Sequence, residues 1–202
     1  MLARLFSKSR KQTPLIVFLY AMMFVNSALA CGVERREEKT LTDTDVGRII
    51  RTPHNSSIPE LIALHNGTAF PHAFLNAHAN SRIAFEARIV ILKAVLLGYR
   101  LEHDEDFHLI LADSDNTSRT LVAELPSPHC VGNSNFALQL GIMRSYLIDH
   151  FGHPGSHTVR LTNPPLIVIR GVVFFDFVHH PPQDGLAPNA IEVHPVLGLR
   201  IQ

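Results

Sequence analysis

The segment 102–130, EHDEDFHLILADSDNTSRTLVAELPSPHC, constrains the fold more than any other stretch of the chain. Two short runs, 107–113 and 120–125, alternate apolar residues with Asp, His and Glu, and Ser114-Asp115-Asn116 between them is turn chemistry. Period-two alternation puts Phe107, Leu109 and Leu111 on one face of a strand and His108, Ile110 and Ala112 on the other. In the second run Leu121, Ala123 and Leu125 oppose Val122 and Glu124. The pair reads as a hairpin, entered from an acidic turn at Asp104-Glu105-Asp106 and stopped by Pro126 and Pro128 before Cys130. An imidazole or carboxylate on such a strand needs either water or a partner. The hairpin therefore sets a fold class and raises a chemical question at once.

The flanking segments supply the rest of a sheet. Residues 85–101 are apolar, β-branched and aromatic, and predict a long strand with Gly98 at a bend or bulge. Residues 166–177, LIVIRGVVFFDF, predict a central strand with Gly171 at a bend or close approach. Residues 191–201 predict a last strand, with Ile191, Val193, Leu197, Leu199 and Ile201 on one face and Glu192, His194 and Arg200 on the other. Before those two strands, Asn133 opens a helix in which Phe136, Leu140, Met143, Leu147 and Phe151 recur at helical spacing and Gly152 closes it. Three strands, a helix and two strands is the order of an OB-fold barrel.

The expected class is thus mainly β with one or two helices: an OB-fold-like five-stranded barrel over 81–202, plus an irregular N-terminal extension over 31–80 with short helices. An open α+β sandwich of the same strands is the alternative. Within the extension, residues 59–65 behind Ser57 and Pro59 predict a short helix. Another is expected after Thr42 or Asp43, and 68–80 reads as an irregular connector.

Residues 1–30 have the composition of a signal peptide. Arg4, Lys8, Arg10 and Lys11 precede an apolar core at 15–25, and Ala28-Leu29-Ala30 fits an A-x-A cleavage site before Cys31. The apolar run is shorter than the ~20 residues a membrane span needs. The expected location is therefore exported, periplasmic or secreted, with membrane contact only through the signal peptide or a lipidated Cys31. Ala28 and Leu29 fit a lipoprotein site poorly. Removing the leader takes four basic and no acidic residues from the 18 Lys+Arg and 18 Asp+Glu, leaving a net charge of −4. Nucleic-acid binding draws most of its affinity from phosphate neutralisation, so a mildly acidic chain carries no strong nucleic-acid signal. Cys31 and Cys130 are the only cysteines. In an oxidising compartment they are expected to pair; a lipidated Cys31 with a free Cys130, or a metal-bound pair, are the alternatives.

The residues that need a chemical explanation are Asp106, His108, Glu124, Asp176, His179, Glu192 and His194, all in or beside predicted strands. They are the candidate binding residues. Glu192 and His194, two apart on one strand face, have ligand-compatible spacing and are the candidate metal ligands, since imidazole with carboxylate suits zinc or manganese. A structural network of Glu–His pairs is the competing reading. The histidines at 54, 65, 72, 78, 150, 153 and 157 are scattered over loops and helix ends and read as solvated. No nucleophile elbow, P-loop or dinucleotide fingerprint is present in the sequence.

Several motifs carry a resemblance. They are Cys31-Gly32-Val33-Glu34-Arg35 with Lys39-Thr40, Asp104-Glu105-Asp106-Phe107-His108-Leu109, Glu124-Leu125-Pro126 leading to Cys130, Gly171-Val172-Val173-Phe174-Phe175-Asp176, and Ile191-Glu192-Val193-His194-Pro195-Val196. Together they resemble a family of exported bacterial proteins of uncharacterised function, which implies export and an OB-like barrel but no reaction. A second resemblance is to staphylococcal-type nucleases, which are OB barrels with a metal site at a D-G-D turn and a strand end. It implies Asp106, Glu124 and Arg119 as candidate catalytic residues and a divalent metal as cofactor. Here Glu105 replaces the turn glycine and Ser127 replaces an acidic residue. Three functions follow as expectations: an exported binding module of unknown ligand, a metal-dependent phosphodiesterase or nuclease, and a structural envelope protein.

Overall fold

One long strand organises the sheet. In this computed structural model, which describes residues 31–202, β2 (Arg88–Leu101) runs for 14 residues. The predicted leader at 1–30 lies outside the described residues. At about 3.3 Å per residue, β2 is long enough to serve different partners along each edge. On one edge it pairs in parallel with β1 (Ile50–Ser56) and then antiparallel with β3 (Phe107–Ala112). On the other it pairs antiparallel with the short β5 (Val159–Arg160) and with β6 (Leu166–Phe175). β3 continues antiparallel to β4 (Thr120–Leu125), β4 lies parallel to β7 (Ile191–Ile201), and β7 returns antiparallel to β6. Because β6 meets both β7 and β2, the strands β2-β3-β4-β7-β6 close into a five-stranded barrel. The expected class, mainly β with an OB-like barrel and an irregular N-terminal extension, describes the molecule.

Closure explains Gly98 and Gly171, both inside strands. The β2–β3 register shifts between Leu96 and Gly98, and a Cβ at Gly98 would come within 2.6 Å of the Val159 carbonyl oxygen. At Gly171, a Cβ would come within 2.3 Å of Val193 Cγ1, where β6 and β7 also change register. Both are places where the sheet turns a barrel corner and only hydrogen fits.

The inner faces of β3, β4 and the start of β7 follow the period-two reading, but past the β6–β7 register shift Val196 and not Leu197 enters the core. Leu109, Leu111, Leu121, Ala123, Val193, Leu92, Leu96, Ile167 and Ile169 belong to one core and are essentially fully buried. The helix Ser134–Phe151, α4 in chain order, adds Leu140, Met143 and Leu147 to that core. It starts where expected: Asn133 Oδ1 accepts from the Asn135 and Phe136 amides at 3.0 and 3.1 Å. Among the described residues no helix is long and apolar enough to cross a membrane.

The extension departs from expectation. α1 (Arg36–Thr40) forms ahead of the position where a helix is expected, and the helix expected after Thr42 or Asp43 is a single 3-10 turn at Val46–Arg48. The segment Ile50–Ser56 is a strand, with largely exposed side chains and no apolar alternation, so only backbone pairing to β2 defines it. α2 (Ile58–Ile62) starts behind Ser57 as expected, with a capping box between Ser57 and Glu60, but stops early, because His65 and Asn66 turn left-handed at φ 51° and 55°. α3 (His72–Ala77) lies inside the stretch read as a connector. Helices this short gain their stability from packing rather than from propensity, so the local sequence carries little sign of them. The predicted strand at 85–101 begins later, at Arg88, behind a 3-10 turn at Ala84–Ala87 that buries Glu86.

Three devices dock the extension onto the outside of the barrel. Cys31 is bonded to Cys130 across a sequence separation of 99. The Arg35 guanidinium donates to both Glu86 oxygens at 2.7 Å and to the Phe175 carbonyl at 2.9 Å, with both side chains fully buried. Arg82 forks onto Asp43 at 2.6–3.2 Å and donates to the Glu38 carbonyl at 2.7 Å. Bidentate pairs of this kind are the strongest ionic contacts a protein interior offers.

Candidate functional site

The outer face of β3, β4 and β7 is as buried as the inner one, yet it is polar. His108, Glu124, Glu192 and His194 are 0%, 5%, 0% and 0% exposed. Strand register puts them side by side. His108 lies directly opposite Glu124 across the β3–β4 pair, and Val122 opposite Glu192 across β4–β7 brings Glu124 level with His194 two residues on. Phe174 of β6 faces Glu192 and completes the row. The sheet thus carries an imidazole–carboxylate–imidazole line from one strand to the next, and the extension covers it.

The contacts along the line alternate in charge. His108 Nδ1 lies 2.9 Å from Glu124 Oε1 and 3.1 Å from Glu102 Oε1, while its Nε2 lies 2.9 Å from the Asp184 carbonyl oxygen. A carbonyl only accepts, so Nε2 carries a proton. Nδ1 faces two carboxylates and carries one too, which makes the ring an imidazolium. Burial opposes that charge, but the bonds from Glu102 and Glu124 outweigh it and push the ring up to about 10. Glu124 is held well below the usual carboxylate range: burial alone would raise it, and His108 and His194 outweigh the burial.

His194 and Glu192 are less well provided for. His194 Nδ1 lies 3.1 Å from Glu124 Oε2 and 3.8 Å from Glu192 Oε2, and Nε2 lies 3.4 Å from Asp106 Oδ2. These are ion-pair distances, but none has hydrogen-bond alignment, and both ring nitrogens and both Glu192 oxygens lack a hydrogen-bond partner. Burial opposes charge on His194, and Asp106, Glu124 and Glu192 together raise it well above its ordinary value. Burial pushes the Glu192 carboxyl up to about 7, helped by Asp176 and Glu124 nearby.

The line opens onto a pocket of about 320 Å³ between the extension, the 102–106 turn and the chain leaving β6. Six carboxylates line it, from Glu34, Glu102, Asp104, Asp106, Glu124 and Asp176, against Arg36 and Lys39 as the fixed cations. Asp106 anchors the turn by accepting the Ser127 amide at 2.8 Å through Oδ1, which leaves Oδ2 toward His194. Glu105 sits at φ 66° in this turn, a conformation glycine favours. Burial, with Asp106 and Glu124 close by, pushes the Asp104 carboxyl up to about 6. Asp176 is bonded to Lys39 Nζ at 3.0 Å and to the Phe177 amide at 2.8 Å.

Of the sequence-derived candidates, Asp106, His108, Glu124, Glu192 and His194 meet in the buried line. Asp176 and His179 line the same pocket, His179 Nε2 lying 3.5 Å from Glu34 Oε2. Arg119 does not join them. It sits beside Asp113 at 3.5 Å, at the far end of β3 and β4 from Asp106. Glu102, Asp104 and Lys39 were not singled out. Asp104 and Lys39 do stand inside the motifs quoted above, whereas Glu102 has no signal beyond its place in the acidic turn. Among the described residues, three groups have carboxylate and imidazole atoms within 4.8 Å of one another: Glu34 with Asp176 and His179, Glu102 with His108 and Glu124, and Asp106 with Glu124 and His194. Chemically the arrangement can hold a cation or pass protons along alternating acids and imidazoles. No family model matches the chain, and neither the curated proteins nor the solved structures contain a match.

Proposed function

We propose that this chain is an exported OB-fold binding module that takes a positively charged ligand in the acidic pocket over β3, β4 and β7. The observation that carries this reading is the position and charge of that pocket. OB barrels bind their ligands over the second and third barrel strands and the loops beside them. Here β3 and β4 are those strands, and the pocket over them holds six carboxylates against two fixed cations. Such a wall attracts cations and repels phosphate. Export is supported by the signal-like composition of 1–30 and by the Cys31–Cys130 bond, which fits an oxidising compartment. The bacterial-family resemblance points the same way.

The metal-dependent hydrolase remains as a second reading because Asp106 and Glu124 do come together, within 4.8 Å of His194. Arg119, at the other end of the hairpin, is not available to it.

Thermal unfolding in the presence of zinc, manganese or calcium chloride and of spermidine tests the proposal, alongside anisotropy with a labelled oligonucleotide. At least one cation is expected to raise Tm, by an amount equivalent to about 2.7 kcal/mol at one hundred times its Kd, and the oligonucleotide is expected not to bind. Silence from every cation at millimolar concentration would sink the reading. Divalent-dependent cleavage of DNA, RNA or a simple phosphodiester, lost in Glu124→Gln, would replace it with the hydrolase.

A further inference from the structure

We infer that Asp106, Glu124 and His194 form the seat of one divalent transition-metal ion of the zinc or manganese class, entered through the pocket. The inference rests on the pocket being the binding site and names its ligand.

Three observations lead to it. First, His194 is completely buried with neither ring nitrogen in hydrogen-bond alignment, although carboxylate oxygens lie 3.1 and 3.4 Å away. An imidazolium at those distances would normally turn its N–H bonds onto the acceptors, since leaving a buried donor unmade costs more than the bond returns. A metal makes a different demand: its ligands surround a common point instead of pointing at one another. Second, the spacing suits that demand. Metal–ligand bonds of 2.0–2.2 Å set the edge of a tetrahedral shell at about 3.4 Å, and His194 Nε2 lies 3.4 Å from Asp106 Oδ2. Third, Glu192 is buried behind His194 with both oxygens unbonded, 3.8 Å from Nδ1. A metal-bound histidine needs a carboxylate or carbonyl to accept its other N–H, which fixes the tautomer. Glu192 is placed to do so once the Nε2 proton has left to solvent and the bare nitrogen faces the metal.

The other two carboxylate–imidazole groups are already engaged. In the first, His108 has bonds at both nitrogens. In the second, Asp176 is committed to Lys39 and to the Phe177 amide. Among the described residues, only this group combines a buried imidazole without a hydrogen bond with carboxylates that line the pocket, Asp106 and Glu124. Three protein ligands with an open side toward solvent is the arrangement that leaves a coordination position free for a further ligand. One imidazole and two carboxylates favour zinc or manganese over calcium, which prefers an all-oxygen shell.

The test is calorimetric titration of the chelator-stripped, disulfide-bonded protein with Zn²⁺, Mn²⁺ and, separately, spermidine, followed by Co²⁺ substitution and visible spectroscopy. One ion per chain is expected, with Co²⁺ ligand-field bands. His194→Ala, Glu124→Gln and Asp106→Asn are each expected to weaken binding by about a hundredfold and to abolish the bands; Asp104→Asn, which lines the pocket outside the seat, keeps both. Should His194→Ala fail to fold, the two isosteric variants carry the result. Metal binding unchanged in Glu124→Gln and Asp106→Asn overturns the seat. Spermidine binding with no metal binding overturns the metal and leaves the cationic-ligand proposal standing; binding of neither overturns both.

Discussion

Two buried polar clusters sit on the same barrel and differ in how completely their atoms are paired. In the first, Arg35 and Arg82 spread their guanidinium forks over Glu86, Asp43 and backbone carbonyls, and each of those two carboxylates also accepts a backbone amide. Glu38 and one edge of Arg35 are served less well: Glu38 lies 3.7 Å from Arg35 Nη2 without a hydrogen bond, Arg35 Nε has no partner, and burial raises the Glu38 pKa. In the second, Glu192 and His194 are equally buried and have no aligned partner at all. The first cluster contributes no residue to the pocket lining, while the second opens into the pocket through Asp106 and Glu124. The first cluster, with its forks paired to Glu86 and Asp43, clamps the extension to the barrel. An unsaturated one beside a pocket is a place prepared for something else, and burial alone does not distinguish the two.

The sharpest way to break this contrast is to remove one partner from each cluster. Arg35→Ala strands the Glu86 carboxylate in the interior, and equilibrium urea unfolding should register a loss of about 3–5 kcal/mol. A loss under 1 kcal/mol would mean that the clamp is not a clamp. Next in size is the covalent tether. Replacing Cys31 and Cys130 together by Ser should remove about 2–5 kcal/mol, and hydrogen exchange should show residues 31–45 opening while the inner strands stay protected.

Glu192→Gln should act in the opposite direction. With its carboxyl raised to about 7 from an unfolded value of 4.5, Glu192 contributes stability that is complete below pH 4.5 and lost as pH rises through 7, about 3 kcal/mol in all. Metal-free Glu192→Gln should therefore match the parent near pH 4.5 and exceed it by about 3 kcal/mol at pH 8. His108, raised to about 10, adds a further decline between pH 6.5 and 10 that both proteins share. Parallel stability curves from pH 4.5 to 8 would show that Glu192 is not held neutral by the fold. The smallest effect belongs to Arg119, whose side chain is 52% exposed beside Asp113. Arg119→Ala should change stability by no more than about 0.5 kcal/mol and leave metal binding as it is.

The barrel was legible because its strands bury one apolar face each, and period two records that burial directly. Leu109, Ala123 and Val193 point inward as their alternation says. The same alternation pointed His108, Glu124, Glu192 and His194 outward, and outward ordinarily means toward water. That these residues are dry depends on α1 and the arm around it, whose charged sequence REEKT reads as solvated. Partners from distant segments, such as Glu86 for Arg35 and Asp43 for Arg82, leave no periodic trace in the chain. β1 was illegible for a related reason: a strand with largely exposed side chains has backbone pairing as its defining feature, and pairing has no composition.

The order in which the cover and the covered surface are made has its own consequence. The arm that seals the pocket comes before every strand, yet it lies against surfaces that only the last third of the chain completes. Arg35 reaches Phe175 across 140 residues, Lys39 reaches Asp176 across 137, and the line beneath them needs His194 of β7. Contacts of such separation form late, after loop closure has been met by nearer pairings. The barrel wall can assemble from neighbouring hairpins, but the pocket cannot exist in any partly made chain. It is the final product of folding, and any cation that enters it reports a molecule already finished.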